Sequence, residues 1–168
     1  MSGETRKWDI RPERPADAAA VEALVSNVFG PGRFAKSAYR LRERVGPEHA
    51  LSFIAVEDGI LRGSIRFWPI FVGVQPALLL GPLAVQADQR GRGIGIELMQ
   101  RGIEEAKALG HRVILLVGDE PYYARVGFAP LPNSVRFPGP VDRNRILGLA
   151  LVNGALDALQ GNIICRFT

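Results

Sequence analysis

Leu80-Gly81-Pro82-Leu83-Ala84-Val85-Gln86-Ala87-Asp88-Gln89-Arg90-Gly91-Arg92-Gly93-Ile94-Gly95-Ile96 is the stretch that decides the fold. An apolar strand pattern runs into a loop with glycine at every second position, Gly91, Gly93 and Gly95, and then directly into a helix pattern. Several backbone N–H groups therefore converge at the positive end of a helix, which makes a cradle for an anion. Glycine is needed there because side chains would keep the backbone off phosphate groups, and because the loop calls for left-handed backbone at some positions. The spacing also says which anion sites this is not. A P-loop requires lysine and a hydroxyl residue after its last glycine, and neither follows Gly95. The dinucleotide fingerprint requires a third glycine at Ile96 or at Leu98, depending on where the count begins.

Downstream, Gly95, Leu98, Met99, Gly102, Ile103 and Ala106 recur three or four apart, so a helix with one buried stripe runs to about residue 109, where Gly110 stops it. The unbroken apolar run 113–117 predicts a strand covered on both faces, joined to the strand before the cradle by a parallel crossover. Gly118-Asp119-Glu120-Pro121 predicts a short helix with acids at its positive end, closed by Gly127-Phe128. Upstream, residues 18–28 and 35–45 carry helical spacing. Strand patterns at 51–56, 60–72 and 78–85 predict antiparallel neighbours, the first two joined by a hairpin turn at Glu57-Asp58-Gly59. Residues 146–152 and 163–167 read as closing strands, with 130–140 an irregular connection. The class is α/β.

Arg90-Gly91-Arg92-Gly93-Ile94-Gly95 also fits Gln/Arg-x-x-Gly-x-Gly/Ala, and Tyr122-Tyr123-Ala124-Arg125-Val126-Gly127-Phe128 fits aromatic-Tyr-x-x-x-Gly-Phe after the next strand. Together they resemble the acetyl-CoA loop and the tyrosine segment of the GNAT superfamily of N-acetyltransferases, and Leu116-Val117-Gly118-Asp119-Glu120-Pro121-Tyr122-Tyr123 resembles a bacterial branch of predicted acetyltransferases. The resemblance spans most of the chain. It implies a mixed, mostly antiparallel sheet flanked by helices, with a splayed parallel pair forming the cofactor slot. It implies that acetyl-CoA is the cosubstrate and that acetyl transfer to a primary amine occurs by direct attack, without metal. Leu83, Ala84 and Val85 would be the strand edge that pairs with the pantetheine arm. Arg90, Gly91, Arg92, Gly93, Ile94 and Gly95 would hold the pyrophosphate. The Val85 N–H would stabilise the oxyanion and Tyr123 would protonate the departing thiolate. Tyr122 reads as a packing or pocket-lining residue, and Arg92 as a flexible phosphate contact. One departure stands out, since the family's strand glutamate has no counterpart in 78–85. Glu57, Asp119, His111, a backbone carbonyl with water, and solvent are the candidates for its role, although Glu57 and Asp58 are also explained as turn residues, and Asp119 and Glu120 as helix N-terminal acids. A domain that binds an acyl-CoA as a sensor without catalysis is the alternative.

The 168 residues, 47% hydrophobic and 23% charged, fit one soluble globular domain over 1–168, with residues 1–7 as a flexible tail. No apolar run reaches membrane length and no signal-peptide pattern follows the charged N-terminus, so a cytoplasmic location is expected. Cys165 has no partner cysteine and reads as a small packed residue; with His49 and His111 the only histidines, a zinc cluster is not expected. The net charge of +4 suits an anionic ligand. Arg33, Lys36, Arg40 and Arg44 would share one helix face, read first as a solvated surface and otherwise as a lip attracting an acidic substrate or cofactor. Nucleic acid is not the expected partner, because basic and acidic residues otherwise intersperse. The acceptor is expected to be a small-molecule or peptide amine, and the sequence leaves its identity, the acyl-chain length and a homodimer open.

Overall fold

The computed structural model describes residues 8–30 and 51–165. A short strand, β1 (Asp9–Pro12), precedes the helix α1 (Ala18–Phe29). Three strands then form a meander, β2 (Phe53–Glu57), β3 (Ile60–Val72) and β4 (Gln75–Val85), each antiparallel to the one before. The β2–β3 turn is Asp58-Gly59 alone. Both residues are left-handed, at φ 52 and 78, the geometry whose twist matches the strands it joins. Helix α2 (Ile94–Ala108) carries the chain to β5 (Val113–Val117), parallel to β4. There follow α3 (Glu120–Tyr123), the two-residue strands β6 (Ala129–Pro130) and β7 (Val135–Arg136), then β8 (Ile146–Ala150) and β9 (Gly161–Cys165).

The strand order is β1-β2-β3-β4-β5-β8-β6, with β9 pairing antiparallel to the end of β3 and parallel to β7. The expected mixed, mostly antiparallel sheet is what the chain forms. Strands β1, β6 and β7 were not expected, and residues 130–140 are correspondingly less irregular than the sequence suggested. The expected helix over 35–45, the Arg33, Lys36, Arg40 and Arg44 face, His49, the tail 1–7 and the side chain of Cys165 lie outside the described residues.

Alternation along the strands places helices on both faces of the sheet. On one face, Ile94, Leu98, Met99, Ile103 and Ala106 of α2 pack on Phe53, Ile65, Phe67, Leu78 and Leu80. On the other, Val21, Leu24 and Val25 of α1 cover Ile54 and Ala84. A further cluster around Ile70, Val72, Leu79 and Ile163 fills the end where β9 closes on β3. Gly102 sets how closely α2 approaches the sheet, because a Cβ there would lie 2.4 Å from the Phe67 ring. Gly102→Ala is therefore expected to destabilise the fold by about 1–3 kcal/mol through overpacking, despite the helix propensity it gains. A denaturant midpoint equal to or above wild type would contradict this.

Candidate active site

β4 and β5 exchange pairing only at Leu78↔Ile114 and Leu79↔Leu115; beyond these residues they part, and β5 pairs onward with β8 alone. The cause lies in β4. Between the Phe67↔Leu80 and Ile65↔Leu83 pairs, two residues, Gly81 and Pro82, stand opposite the single residue Arg66. This bulge bends the strand, and Pro82 has no N–H to offer a neighbour. The extra residue also shifts the alternation, so that Leu80 and then Leu83 face the same core. A cleft of about 1130 Å³ opens where the strands part.

The wall that β4 presents to this cleft is polar main chain. Gln86 donates its N–H to the Arg62 carbonyl, so Gln86 and, by alternation, Ala84 turn their backbone groups toward β3. Leu83 and Val85 turn theirs away from β3, into the gap left by β5. Of the three expected strand-edge residues, two therefore present N–H and C=O groups to the cleft. Ala84 does not, because its main chain faces Ser64 and its side chain is buried under α1.

The cleft continues into the glycine loop. Gly91 and Gly93 are left-handed at φ 88 and 93, and Gly93 is the residue that caps α2. The first helical bond runs from the Glu97 N–H to the Gly93 carbonyl, so the N–H groups of Ile94, Gly95 and Ile96 precede it at the positive helix end. Gly95 is needed for a different reason. A Cβ there would lie 2.4 Å from the Tyr122 hydroxyl, which sits over the first turn of α2. Arg90 lines the cleft and is exposed.

Arg92 is not the flexible contact expected of it. Its guanidinium donates two hydrogen bonds to Glu57, at 3.0 and 3.1 Å, and lies 4.7 Å over the Trp8 ring. Glu57 also accepts from Arg62 at 3.0 Å. The turn-residue reading of Glu57 thus fails, because it is the last residue of β2 and is buried. Hydrogen bonds from Arg92, and then those from Arg62, hold its carboxyl below the ordinary carboxylate range against the opposing effect of burial. A carboxylate so committed is a poor base. Its stabilising contribution is present above the usual glutamate range and is lost as pH falls through the depressed value. Glu57→Gln should accordingly lower the melting temperature at pH 7, with the gap to wild type narrowing below about pH 4. A constant gap across that range would contradict the assignment.

The opposite wall belongs to α3. Gly118 admits the Tyr123 ring, since a Cβ there would come 2.3 Å from Tyr123 Cε2. Tyr123 meets Tyr122 edge-on at 5.1 Å and Phe128 at 6.2 Å. Gly127, left-handed at φ 101, ends the segment, and Phe128 anchors it in the core. Burial, with Tyr122 and Asp119 nearby, pushes the Tyr123 phenol up to about 12, against a smaller opposing effect of Arg145. Asp119 is exposed, precedes α3, and stands 3.5 Å from Arg145. His111 follows α2 and is not among the residues that line the cleft.

A third wall was not legible in the sequence. Glu22, Val25, Val28 and Phe29 of α1, with Arg66 and Trp68 of β3, line the side of the cleft opposite the cradle helix. Arg66, buried, donates Nε and Nη2 to Glu13 at 3.0 and 2.7 Å and Nη1 to Glu22 at 2.7 Å. The Trp68 indole donates to the Gly81 carbonyl in the bulge. Glu22 gave no signal because, taken alone, it is a polar residue on an exposed helix face. Among the described residues no three His, Cys, Asp or Glu side chains gather as a metal site.

The acetyltransferase (GNAT) family model matches residues 18–128. The chain is 32% identical to the uncharacterized N-acetyltransferase YhbS of Escherichia coli K12, over 90% of this chain and 92% of that one. It is 31% identical to the uncharacterized N-acetyltransferase YjhQ of the same strain, over 74% and 71%. The crystal structure of YhbS in complex with CoA superposes with a TM-score of 0.79 at 26% identity, covering 99% of this chain and 93% of that one. A GNAT acetyltransferase from Brucella melitensis in complex with acetyl-CoA gives 0.71 at 27% identity, covering 95% and 96%. This chain belongs to the GNAT family of acetyltransferases.

Proposed function

We propose that the protein moves an acetyl group from acetyl-CoA to a primary amine by direct attack, with Leu83, Val85, Arg90, Gly91, Gly93, Ile94, Gly95 and Tyr123 as the working site. The observation that carries this reading is the continuity of one cleft, from the glycine cradle along the cleft-facing main chain of Leu83 and Val85 to Tyr123. The CoA complexes of the two relatives support it. The pyrophosphate meets N–H groups at the start of α2, with Arg90 beside it. The pantetheine arm takes the place beside β4 that β5 leaves, pairing with Leu83 and Val85 as a strand would. As the amine attacks, the Val85 N–H, fixed by the sheet, donates to the oxygen on which negative charge develops. Holding amine and thioester in line supplies roughly 7–11 kcal/mol of the lowered barrier.

The raised phenol refines the role of Tyr123. Burial disfavours loss of the Tyr123 proton, so full transfer of that proton to the departing thiolate is uphill. Tyr123 therefore stabilises the leaving sulfur mainly as a hydrogen-bond donor, and solvent completes the protonation. Arg92 serves the cradle through its tie to Glu57 rather than as a free arm. A cytoplasmic location and a small-molecule or peptide acceptor belong to the same proposal; no described helix is long and apolar enough to cross a membrane. The test is a thiol-release assay with acetyl-CoA against a broad amine library, alongside a thermal shift with CoA. Stabilisation by CoA together with amine-dependent thiol release is the expected result. CoA binding without thiol release from any amine would leave a binding module, and no CoA binding would end the reading.

A further inference from the structure

The acceptor wall carries an unbalanced charge at a defined place. Glu13, Arg66 and Glu22 form one network with two carboxylates and one guanidinium, so one negative charge is left over. Its distribution is unequal. Glu13, its side chain 9% exposed, takes Nε and Nη2 of Arg66, whereas Glu22 takes only Nη1 through Oε1, and among the described residues its Oε2 has no partner. The Glu22 side chain is 59% exposed, and it lines the cleft. Its position is fixed by Arg66, which stands in register opposite the Gly81–Pro82 bulge, where the slot between β4 and β5 opens. The free oxygen is thus held at the level of the slot, on the face of the sheet that α1 covers.

Beside it, α1 and β3 contribute apolar side chains to the cleft. Val25 and Phe29 fall three and seven residues beyond Glu22 on α1, on the same helix face, and Trp68 lies on β3 two residues from Arg66 on the same side of the sheet. β4 carries no acid of its own. A single oriented carboxylate set among apolar side chains matches a cation on an apolar body, because the charge finds its partner while the remainder is buried without stranding polar groups.

We propose that Glu22, oriented by Arg66, receives the ammonium group of the incoming acceptor, that one proton of this group leaves through the exposed Glu22 carboxylate to solvent so that the neutral amine attacks, and that the acceptor class is a primary amine on an apolar or aromatic body. This deepens the acetyl-transfer reading and rests on it. The Glu13–Arg66 pair is a positioning element: it fixes the Glu22 carboxylate and does not itself touch the acceptor.

The test uses the full chain at saturating acetyl-CoA with two probe amines, 2-phenylethylamine and ethanolamine. The aromatic amine is expected to give a kcat/KM at least about tenfold higher, from burial of its ring. Glu22→Gln keeps the side-chain volume and, at an exposed position whose arginine retains Glu13, should fold as wild type. It should lower kcat/KM for 2-phenylethylamine by about 10- to 100-fold, mainly through KM, and leave the KM for acetyl-CoA unchanged. Glu22→Asp should recover part of the loss. Added salt should weaken the wild type more than Glu22→Gln, because only the wild type has the attraction to screen. An unchanged acceptor KM in Glu22→Gln, or a preference for ethanolamine, overturns the proposal. If acetyl-CoA binds but neither amine elicits thiol release, the transfer reading is what has failed. Calorimetric titration of 2-phenylethylamine into the protein with CoA present then decides: binding that Glu22→Gln abolishes sustains the site, and no binding by wild type removes it.

Discussion

Replacing Gly93 by valine is expected to erase the thermal stabilisation that CoA confers while leaving the unliganded fold in place. At a ligand concentration 100 times Kd, linkage gives wild type about 2.7 kcal/mol. For a chain of this length that is a rise of roughly 5–11 °C. Gly93 sits at φ 93 and ψ 6 as the cap of α2, a conformation that a β-branched residue adopts only under strain, on the order of 1–3 kcal/mol. That cost lowers the melting temperature but does not reach the core, because among the described residues nothing lies within 4 Å of a Cβ built at Gly93. The same open space is where the anion must approach the N–H groups of Ile94, Gly95 and Ile96, and the valine methyls would occupy it. Gly93→Ala separates the two effects, carrying most of the backbone strain with much less obstruction, and should keep part of the CoA response. A Gly93→Val protein that CoA still stabilises to the wild-type extent would remove the cradle from the site.

Tyr123→Phe should fold, bind acetyl-CoA with wild-type affinity, and lose about 10- to 1000-fold in kcat. The ring stays between Gly118, Tyr122 and Phe128, so only the hydroxyl is tested. The lower part of the range applies if a thiolate departs adequately with solvent as its only donor. Because burial raises the phenol to about 12, no alkaline loss of activity below about pH 10 should trace to this residue. The raised value is also a statement about stability. A tyrosine whose folded pKa exceeds its unfolded value of about 10 contributes fully below pH 10, and its contribution falls away between pH 10 and 12, by up to roughly 3 kcal/mol. Wild type should therefore lose melting temperature more steeply over that interval than Tyr123→Phe. Tyr122→Phe is the matched control and should cost less in kcat. Full kcat in Tyr123→Phe, with chemistry shown to limit turnover, would remove the Tyr123 hydroxyl from the stabilisation of the leaving sulfur.

The readable parts of the chain share a physical property: their signal is local. The stripe from Gly95 to Ala106 repeats at the helical period over a 15-residue helix, and β3 and β4 are long enough for apolar runs and turn residues to declare them. Gly127 and Phe128 announce an end of structure within two positions. What escaped detection depends on partners distant in sequence. β6 and β7 are two residues each, too short for any period, and exist because β8 and β9 offer them edges. Arg92 looked mobile because Glu57 lies 35 residues away. The turning away of Ala84 follows from a bulge whose location is a relation between Arg66 and the Gly81-Pro82 pair, invisible in either segment alone. Glu22 acquires its orientation from Arg66, 44 residues on.

The bulge in β4 divides the labour between backbone and side chains. On the β5 side of the bend, Leu83 and Val85 offer only peptide groups, which are the same for every residue except proline. On the α1 side, the neighbours of the bend are Arg66, Trp68 and Glu22, whose chemistry is entirely that of their side chains. In the site we propose, donor recognition is thus written in a code indifferent to residue type, and acceptor recognition in one that each substitution rewrites. A library varied at positions 22, 25, 29 and 68 should yield proteins with altered acceptor preference that still load acetyl-CoA, whereas proline at 83 or 85 should abolish loading whatever the acceptor.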